Sequence, residues 1–342
     1  MKKQRNAEFD IAKCIAMFLV VQGHLLSMHI GDPAFMINSL HMPALFFISG
    51  YLAFFSMERR SAGEVLKKKV TALLIPYVIW SAISLLANAA LTVLGGTFTV
   101  SAFLTEAVQI FVYARSVWFL IQLFVTFAVF LGIHAFLKKT NMVRYEPVVY
   151  AVVWLAVICL VPGDLFAFQK FKWLFPFFYA GYVCCKNREC VQNFFETKPK
   201  RKMIGWISFV FPVLALVFLK DAFFWSYTEG AYADIVSVLV GLCYYAISTA
   251  GVIFLLKISN LISKRKFGIV CAEIGTYSMD IYLIHMFLIK FIPMPIDLNS
   301  TSPFVAHGIL AVLSLAVVLI IWVMCKFVLR KIGLYRFCVG MK

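Results

Sequence analysis

The chain has 342 residues, of which 63% are hydrophobic, 16% aromatic and only 14% charged, with a mean hydropathy of +0.90. A soluble domain is about half apolar and a quarter charged, and a fold of this size has too much surface to hide so many apolar side chains from water, so a soluble globular enzyme and a disordered chain are both excluded. The net charge of +16 would suit nucleic acid, but the basic residues stand in short clusters between apolar runs, which is the pattern of a membrane protein and not of a nucleic-acid binder.

An α-helix needs about 20 apolar residues to cross the hydrocarbon core, and about ten runs meet or approach that length. In chain order they cover 9–29, 40–57, 70–94, 117–137, 148–161, 173–185, 204–219, 235–256, 272–291 and 304–328. The fifth and sixth are short, as tilted, broken or re-entrant segments are. Strand alternation is absent, which excludes a β-barrel. The expected fold is all-α: a polytopic membrane protein in which a single domain, 1–342, fills the chain without repeats or a soluble appendage.

The charges between the runs alternate. Lys2, Lys3, Arg5 and Lys13 open the chain; Arg59, Arg60, Lys67, Lys68 and Lys69 follow the second run; Lys138, Lys139 and Arg144 follow the fourth. Further clusters lie at 186–202, at 257–266 and in the tail, and of the 32 basic residues only Arg115, Lys170, Lys172, Lys220 and Lys290 fall on the other side. This asymmetry places both termini in the cytoplasm and the 95–114 and 221–233 connections outside. The basic N-terminus and first run read as an uncleaved span, because no small-residue cleavage site ends the run. No cysteine lies in an expected outer loop, so no disulfide framework is implied, and no cysteine spacing suggests a metal site.

Ionisable residues inside a span are costly and mark function by default. In the first run, Asp10 and Lys13 are three apart and share a helix face, which suits an ion pair at the membrane boundary. His24 stands about 16 Å farther along the same helix, deep in the membrane. It is either a structural histidine bonded to a carbonyl or a general base near neutral pKa. His41 sits at the outer mouth of the second run, before Pro43, and Ser49, Gly50 and Tyr51 suit close helix packing. The ninth run holds Asp280, Tyr282 and His285, with His285 at a depth matching His24. Arg115 and Trp118 stand at the outer end of the fourth run, where a tryptophan is ordinary interfacial chemistry.

Together these stretches resemble the acyltransferase-3 family of multispan membrane O-acyltransferases. In order they are Arg5, Asp10, Lys13 and His24; an HMPxxFFxSGY stretch from His41 to Tyr51; Lys67 to Lys69 before Pro76-Tyr77; Trp118 to Leu120; and YSxxIYLIH from Tyr277 to His285. The resemblance implies transfer of a short acyl group, acetyl or succinyl, from cytoplasmic acyl-CoA to a hydroxyl of a cell-surface glycan or lipid-linked glycan precursor in a bacterial plasma membrane. Acyl-CoA is then a co-substrate, with no bound cofactor and no metal. The resemblance makes His24 the catalytic residue, either as the base that deprotonates the hydroxyl or as the nucleophile that attacks the thioester and carries the acyl group, and it makes Lys13 and Lys67 to Lys69 donor-binding residues, with Arg5 beside them. His41, Ser49, Tyr51, Trp118, Tyr282 and His285 are candidates for orienting the acceptor or the oxyanion. Two positions depart from the family pattern: Lys13 and Leu73 stand where many members carry arginine. A transporter or flippase for lipid-linked sugars, or a scaffold of an export complex, would also need many spans, but neither needs a deep histidine above a cytoplasmic lysine set.

Overall fold

A computed structural model describes residues 6–31, 35–160, 166, 168–189, 203, 205–206, 210, 233–290, 292 and 298–340, and no strand occurs among them. The principal helices are α1 (Ala7–Ile30), α2 (Phe35–Glu58), α3 (Ala62–Lys69), α4 (Ile75–Leu94), α5 (Val100–Phe111), α6 (Trp118–Lys139), α7 (Glu146–Leu160), α8 (Gln169–Lys186), α9 (Ala233–Ser263), α10 (Gly268–Gly275), α11 (Ser278–Ile289), α12 (Pro303–Phe327) and α13 (Gly333–Cys338). Six described helices are long and apolar enough to cross a membrane: Ala7–Ile30, Ile37–Glu58, Ala62–Leu94, Trp118–Lys139, Gly241–Ser263 and Pro303–Lys331. The protein is an integral membrane protein of helices. The expected run at 204–219 lies almost wholly outside the described residues, and Arg5 lies outside them too.

The chain forms two compact units, one of residues 1–50 and 180–328, the other of residues 51–179 and 329–342, with the divisions falling inside α2, inside α8 and just after α12. In the first unit α1 packs against α9, α10, α11 and α12. Surrounded this way, it is apolar nearly all round, with Ile11, Ala12, Ala16, Val20, Val21 and Leu25 buried on several sides. Asn6 caps its start, its side chain accepting from the Glu8 and Phe9 N–H groups, and Gly31 ends it at φ 69°, a left-handed conformation that glycine adopts at little cost. Polar contacts fix its register at both ends. Asn260 donates to Glu8; near the other end, Ser314 donates to Gln22 Oε1 at 2.6 Å, and Gln22 Nε2 reaches the His307 carbonyl at 3.5 Å.

The expected single run 272–291 is broken. Tyr277 N–H bonds the Ile274 carbonyl at 2.8 Å and Thr276 N–H bonds Glu273 at 2.9 Å, so the chain tightens into short i to i+3 bonds and restarts as α11. The break gives buried Asp280 a place in the first turn of α11, where the helix dipole favours a carboxylate. It also sets Gly275 directly on α1: a Cβ there would stand 1.7 Å from the Asp10 carbonyl oxygen.

In the second unit α3 and α4 are joined by a π-helical turn, Val70–Leu74, into one helical stretch from Ala62 to Leu94. Ser61 and Glu64 start it with a reciprocal capping box. The lysines read as part of a loop therefore lie on a helix, and that helix packs against α6. The 95–114 connection, read as a loop, holds α5, because its apolar residues Val100, Leu104 and Val108 recur every four positions and form an exposed stripe suited to lipid. Tyr77 of the Pro-Tyr pair donates to the Phe111 carbonyl at 2.8 Å, satisfying an end of α5 that its own helix leaves open. An aromatic core of Phe127, Phe130, Tyr150, Phe171, Phe175 and Phe178 holds α6, α7 and α8. The short fifth and sixth runs correspond to α7, with 15 residues, and α8, with 18 residues and Pro176 inside it. Trp80 Nε1 donates to the Cys338 carbonyl at 3.1 Å and ties α13 to α4.

Candidate active site

In the first unit the lower part of α1 carries an ion pair. Lys13 Nζ lies 2.6 Å from Asp10 Oδ1, with Asp10 buried and Lys13 partly so. A lysine ammonium has three N–H groups; Asp10 takes one and fixes where the others point. Because Gly275 lets α10 touch the Asp10 backbone, the pair is set against the end of α10.

About 16 Å farther along α1, His24 is partly buried and its ring centre lies 5.2 Å from that of His285, the planes tilted by 39°. His285 is 1% exposed. Its Nδ1 lies 3.0 Å from the Ile281 carbonyl, and its Nε2 is buried with no hydrogen-bond partner among the described residues. Tyr282 lies on the other side of this ring, 5.9 Å centre to centre. His41, also buried, places Nδ1 2.6 Å from the Ile37 carbonyl and lies within electrostatic reach of His24. Thus His24, His285, Tyr282 and His41 belong to one neighbourhood, supplied by α1, α11 and α2. His24 differs from the other two histidines in that no carbonyl one turn back holds its ring. Ser49, partly buried, donates to the Leu45 carbonyl at 2.7 Å, a bond within its own helix.

The remaining candidates belong to the second unit. Lys67 and Lys68 are exposed on α3, whereas Lys69 Nζ sits 3.8 Å from the ring centre of Phe127, near the middle of α6. Leu73, at the departure from the family pattern, is buried in the π-helical turn. Tyr51 packs on Phe55 at 5.9 Å. The Trp118 ring is covered by Lys170 Nζ at 4.4 Å. Among the described residues no three His, Cys, Asp or Glu side chains converge as metal ligands would.

Sequence reasoning passed over Gln22, Ser314, Asn260 and Gly275. Gln22 carried a signal: an amide two residues before His24 in an otherwise apolar run needs an interhelical partner. Ser314 gave none, because serine is ordinary in such runs, and Asn260 gave none, because it stands beyond the end of the 235–256 run. Gly275 stood in plain view in the GTYS stretch, but only the packed helices show what it touches.

His24 of α1 beside His285 of α11, with the Lys13–Asp10 pair on the same α1, forms the candidate site in a helical membrane protein. The family described as "Acyltransferase domain" matches residues 6–324. The chain belongs to this family and is a membrane acyltransferase, and the match runs through both units. The transporter and scaffold readings give way to it. The nodulation protein NolL of Sinorhizobium fredii is 27% identical over 300 residues, 82% of this chain and 77% of that protein. The nodulation protein NolL of Mesorhizobium japonicum is 35% identical over 85 residues, 22% of this chain and 23% of that protein. No solved structure matches the chain.

Proposed function

We propose that the protein moves a short acyl group, acetyl or succinyl, from cytoplasmic acyl-CoA to a hydroxyl of a cell-surface glycan or its lipid-linked precursor, in a bacterial plasma membrane. One acyltransferase domain of about ten spans, with both termini in the cytoplasm, carries the reaction. The observation that carries this reading is the placement of His24 on α1: in a histidine pair about 16 Å from an ion-paired lysine. A pantetheine arm spans about that distance, so phosphates held near Lys13 bring the thioester to His24.

His24 then acts as general base. It takes the proton of the acceptor hydroxyl as that oxygen attacks the thioester carbonyl carbon. The tetrahedral intermediate collapses, the carbon–sulfur bond breaks, and the CoA thiolate leaves with the proton returned from His24. Tyr282 and His41 border the same neighbourhood and are the groups proposed to orient the acceptor. The family resemblance assigns Lys67, Lys68 and Lys69 to donor binding. The exposure of Lys67 and Lys68 supports that role for them, while Lys69 is engaged with Phe127. Ser49, Tyr51 and Trp118 remain acceptor-side candidates on resemblance.

Two measurements test this reading. Lys13→Ala should weaken acyl-CoA binding about ten- to hundredfold, the worth of a charge-assisted contact. It should also lower the melting temperature, because it removes the partly buried Lys13–Asp10 ion pair. Lys13→Arg should keep both properties, since a guanidinium pairs with carboxylate and phosphate alike. Unchanged donor affinity in a folded Lys13→Ala protein would take Lys13 out of the donor site. For topology, cysteines introduced at Arg60 and Thr97 should label from the cytoplasmic and external sides respectively; the reverse pattern would overturn the donor-side assignment.

A further inference from the structure

We propose that His285 is a positioning residue for His24: its Nε2 lone pair accepts a ring N–H of His24 and so leaves the other His24 nitrogen as the base. The inference rests on His24 acting as the base in acyl transfer and adds what sets that base.

The argument begins at Ile281. A carbonyl oxygen only accepts hydrogen bonds, so the His285 nitrogen facing it at 3.0 Å, Nδ1, carries the hydrogen. In the neutral ring the second nitrogen, Nε2, then holds a lone pair and can only accept. That atom is buried and has no partner among the described residues, a costly state for a polar atom unless something closes on it. Of the neighbouring rings that can supply a hydrogen, His24 is nearer, 5.2 Å away centre to centre against 5.9 Å for Tyr282. An in-line N–H···N bond of about 3 Å, with about 1.1 Å from each ring centre to its nitrogen, gives about the same separation. The 39° tilt leaves a small ring rotation to close the bond, as catalytic contacts tighten once substrate is bound.

Two consequences follow for His24. Its own helix does not hold its ring, so its tautomer is set from outside. The nitrogen turned to His285 carries the hydrogen, and the other faces the acceptor hydroxyl with its lone pair. When His24 takes the hydroxyl proton, the bond to His285 becomes charge-assisted and strengthens, so it stabilises the transition state more than the ground state. The hydroxyl proton moves to His24 and later to the leaving thiolate, and His285 keeps its own proton throughout.

The test uses three substitutions that separate the two nitrogens. His285→Gln keeps an acceptor near the Nε2 position. His285→Asn keeps a donor near Nδ1 but loses that acceptor. His285→Phe keeps ring volume and loses both. The expected result is a fall in kcat of about ten- to hundredfold for Phe and Asn, a few-fold loss for Gln, and an unchanged KM for acyl-CoA in all three. A purely structural role predicts instead that Phe, which keeps the packing, is the mildest. Purified protein labelled with 15N-histidine gives a readout that needs no turnover. His285 should carry its hydrogen on Nδ1, and the His24 signals should move in His285→Phe and much less in His285→Gln. A hydrogen on His285 Nε2, or Gln behaving as Phe does, would overturn the proposal. Normal kcat in all three variants, with His24→Ala inactive, would also overturn it and leave acyl transfer itself standing.

Discussion

His24→Ala should leave a folded protein that binds acyl-CoA and transfers the acyl group about 10²–10⁴-fold more slowly, the range for a positioned acid–base group. Folding should survive because the ring is only partly buried, and its removal leaves no polar atom of α1 without a partner that it now has. Donor binding should survive because the proposed phosphate contact at Lys13 lies about 16 Å away. His24→Gln fills similar space and keeps hydrogen-bonding capacity, yet cannot take the proton, so it should be nearly as slow. The comparison of rate with donor affinity separates lost chemistry from lost binding: kcat falls while the dissociation constant for acyl-CoA holds. Near-normal transfer by a folded His24→Ala protein would end the general-base mechanism.

Gly275→Ala should cost more stability than a methyl added at Gly268 or Gly340, where the nearest backbone atom stands farther from the added Cβ, at 2.2 and 2.8 Å. The new Cβ would meet the Asp10 carbonyl oxygen at 1.7 Å and its carbonyl carbon at 2.5 Å. Both are backbone atoms in the first turn of a packed helix, so no side chain can rotate away and α1 and α10 must separate. Overpacking typically costs about 1–3 kcal/mol and occasionally more, and a backbone-to-backbone clash belongs at the high end. Gly132→Ala is the matched control. Nothing lies within 4 Å of its Cβ position, and it sits inside α6, so alanine should be neutral or stabilising by about 0.5–1 kcal/mol. Thermal melts in detergent check both, and a Gly275→Ala protein that melts with the wild type would show that α1 and α10 do not meet as described. Any variant that still folds should lose activity, because the same displacement carries Lys13 and His24 on α1 away from His285 on α11.

How much of this was legible in the sequence depended on which physics each residue obeys. The helical class, the membrane setting and the first four spans followed from hydropathy and length, which are local. The ninth run was misread as one helix because Gly275, Thr276 and Tyr277 are uncharged and do not interrupt the hydropathy, although their backbone bonds do interrupt the helix. The 95–114 connection was taken for a loop because α5, with 12 residues, is too short to register as a span. At the site, the sequence marked His24 and His285 because ionisable residues inside spans stand out, and it placed them at matching depth. It gave no measure of how close they come, and no sign that Ile281 fixes which His285 nitrogen bears the hydrogen. Lys67 to Lys69 were read as three equal cytoplasmic charges, but helix geometry separates them: Lys69 turns onto Phe127 while its two neighbours stay exposed.

The most direct test of the central claim follows a labelled acyl group across the reaction. Inverted membrane vesicles from the protein's own cells carry its natural acceptors and present the cytoplasmic face to added donor. With radiolabelled acetyl-CoA or succinyl-CoA outside such vesicles, label from one of the two should enter the glycan or lipid-linked glycan fraction as free CoA thiol appears. It should not do so in right-side-out vesicles, nor in inverted vesicles carrying His24→Ala. Label that stays on CoA in wild-type vesicles, or that reaches the glycan fraction equally with His24→Ala, would contradict the account.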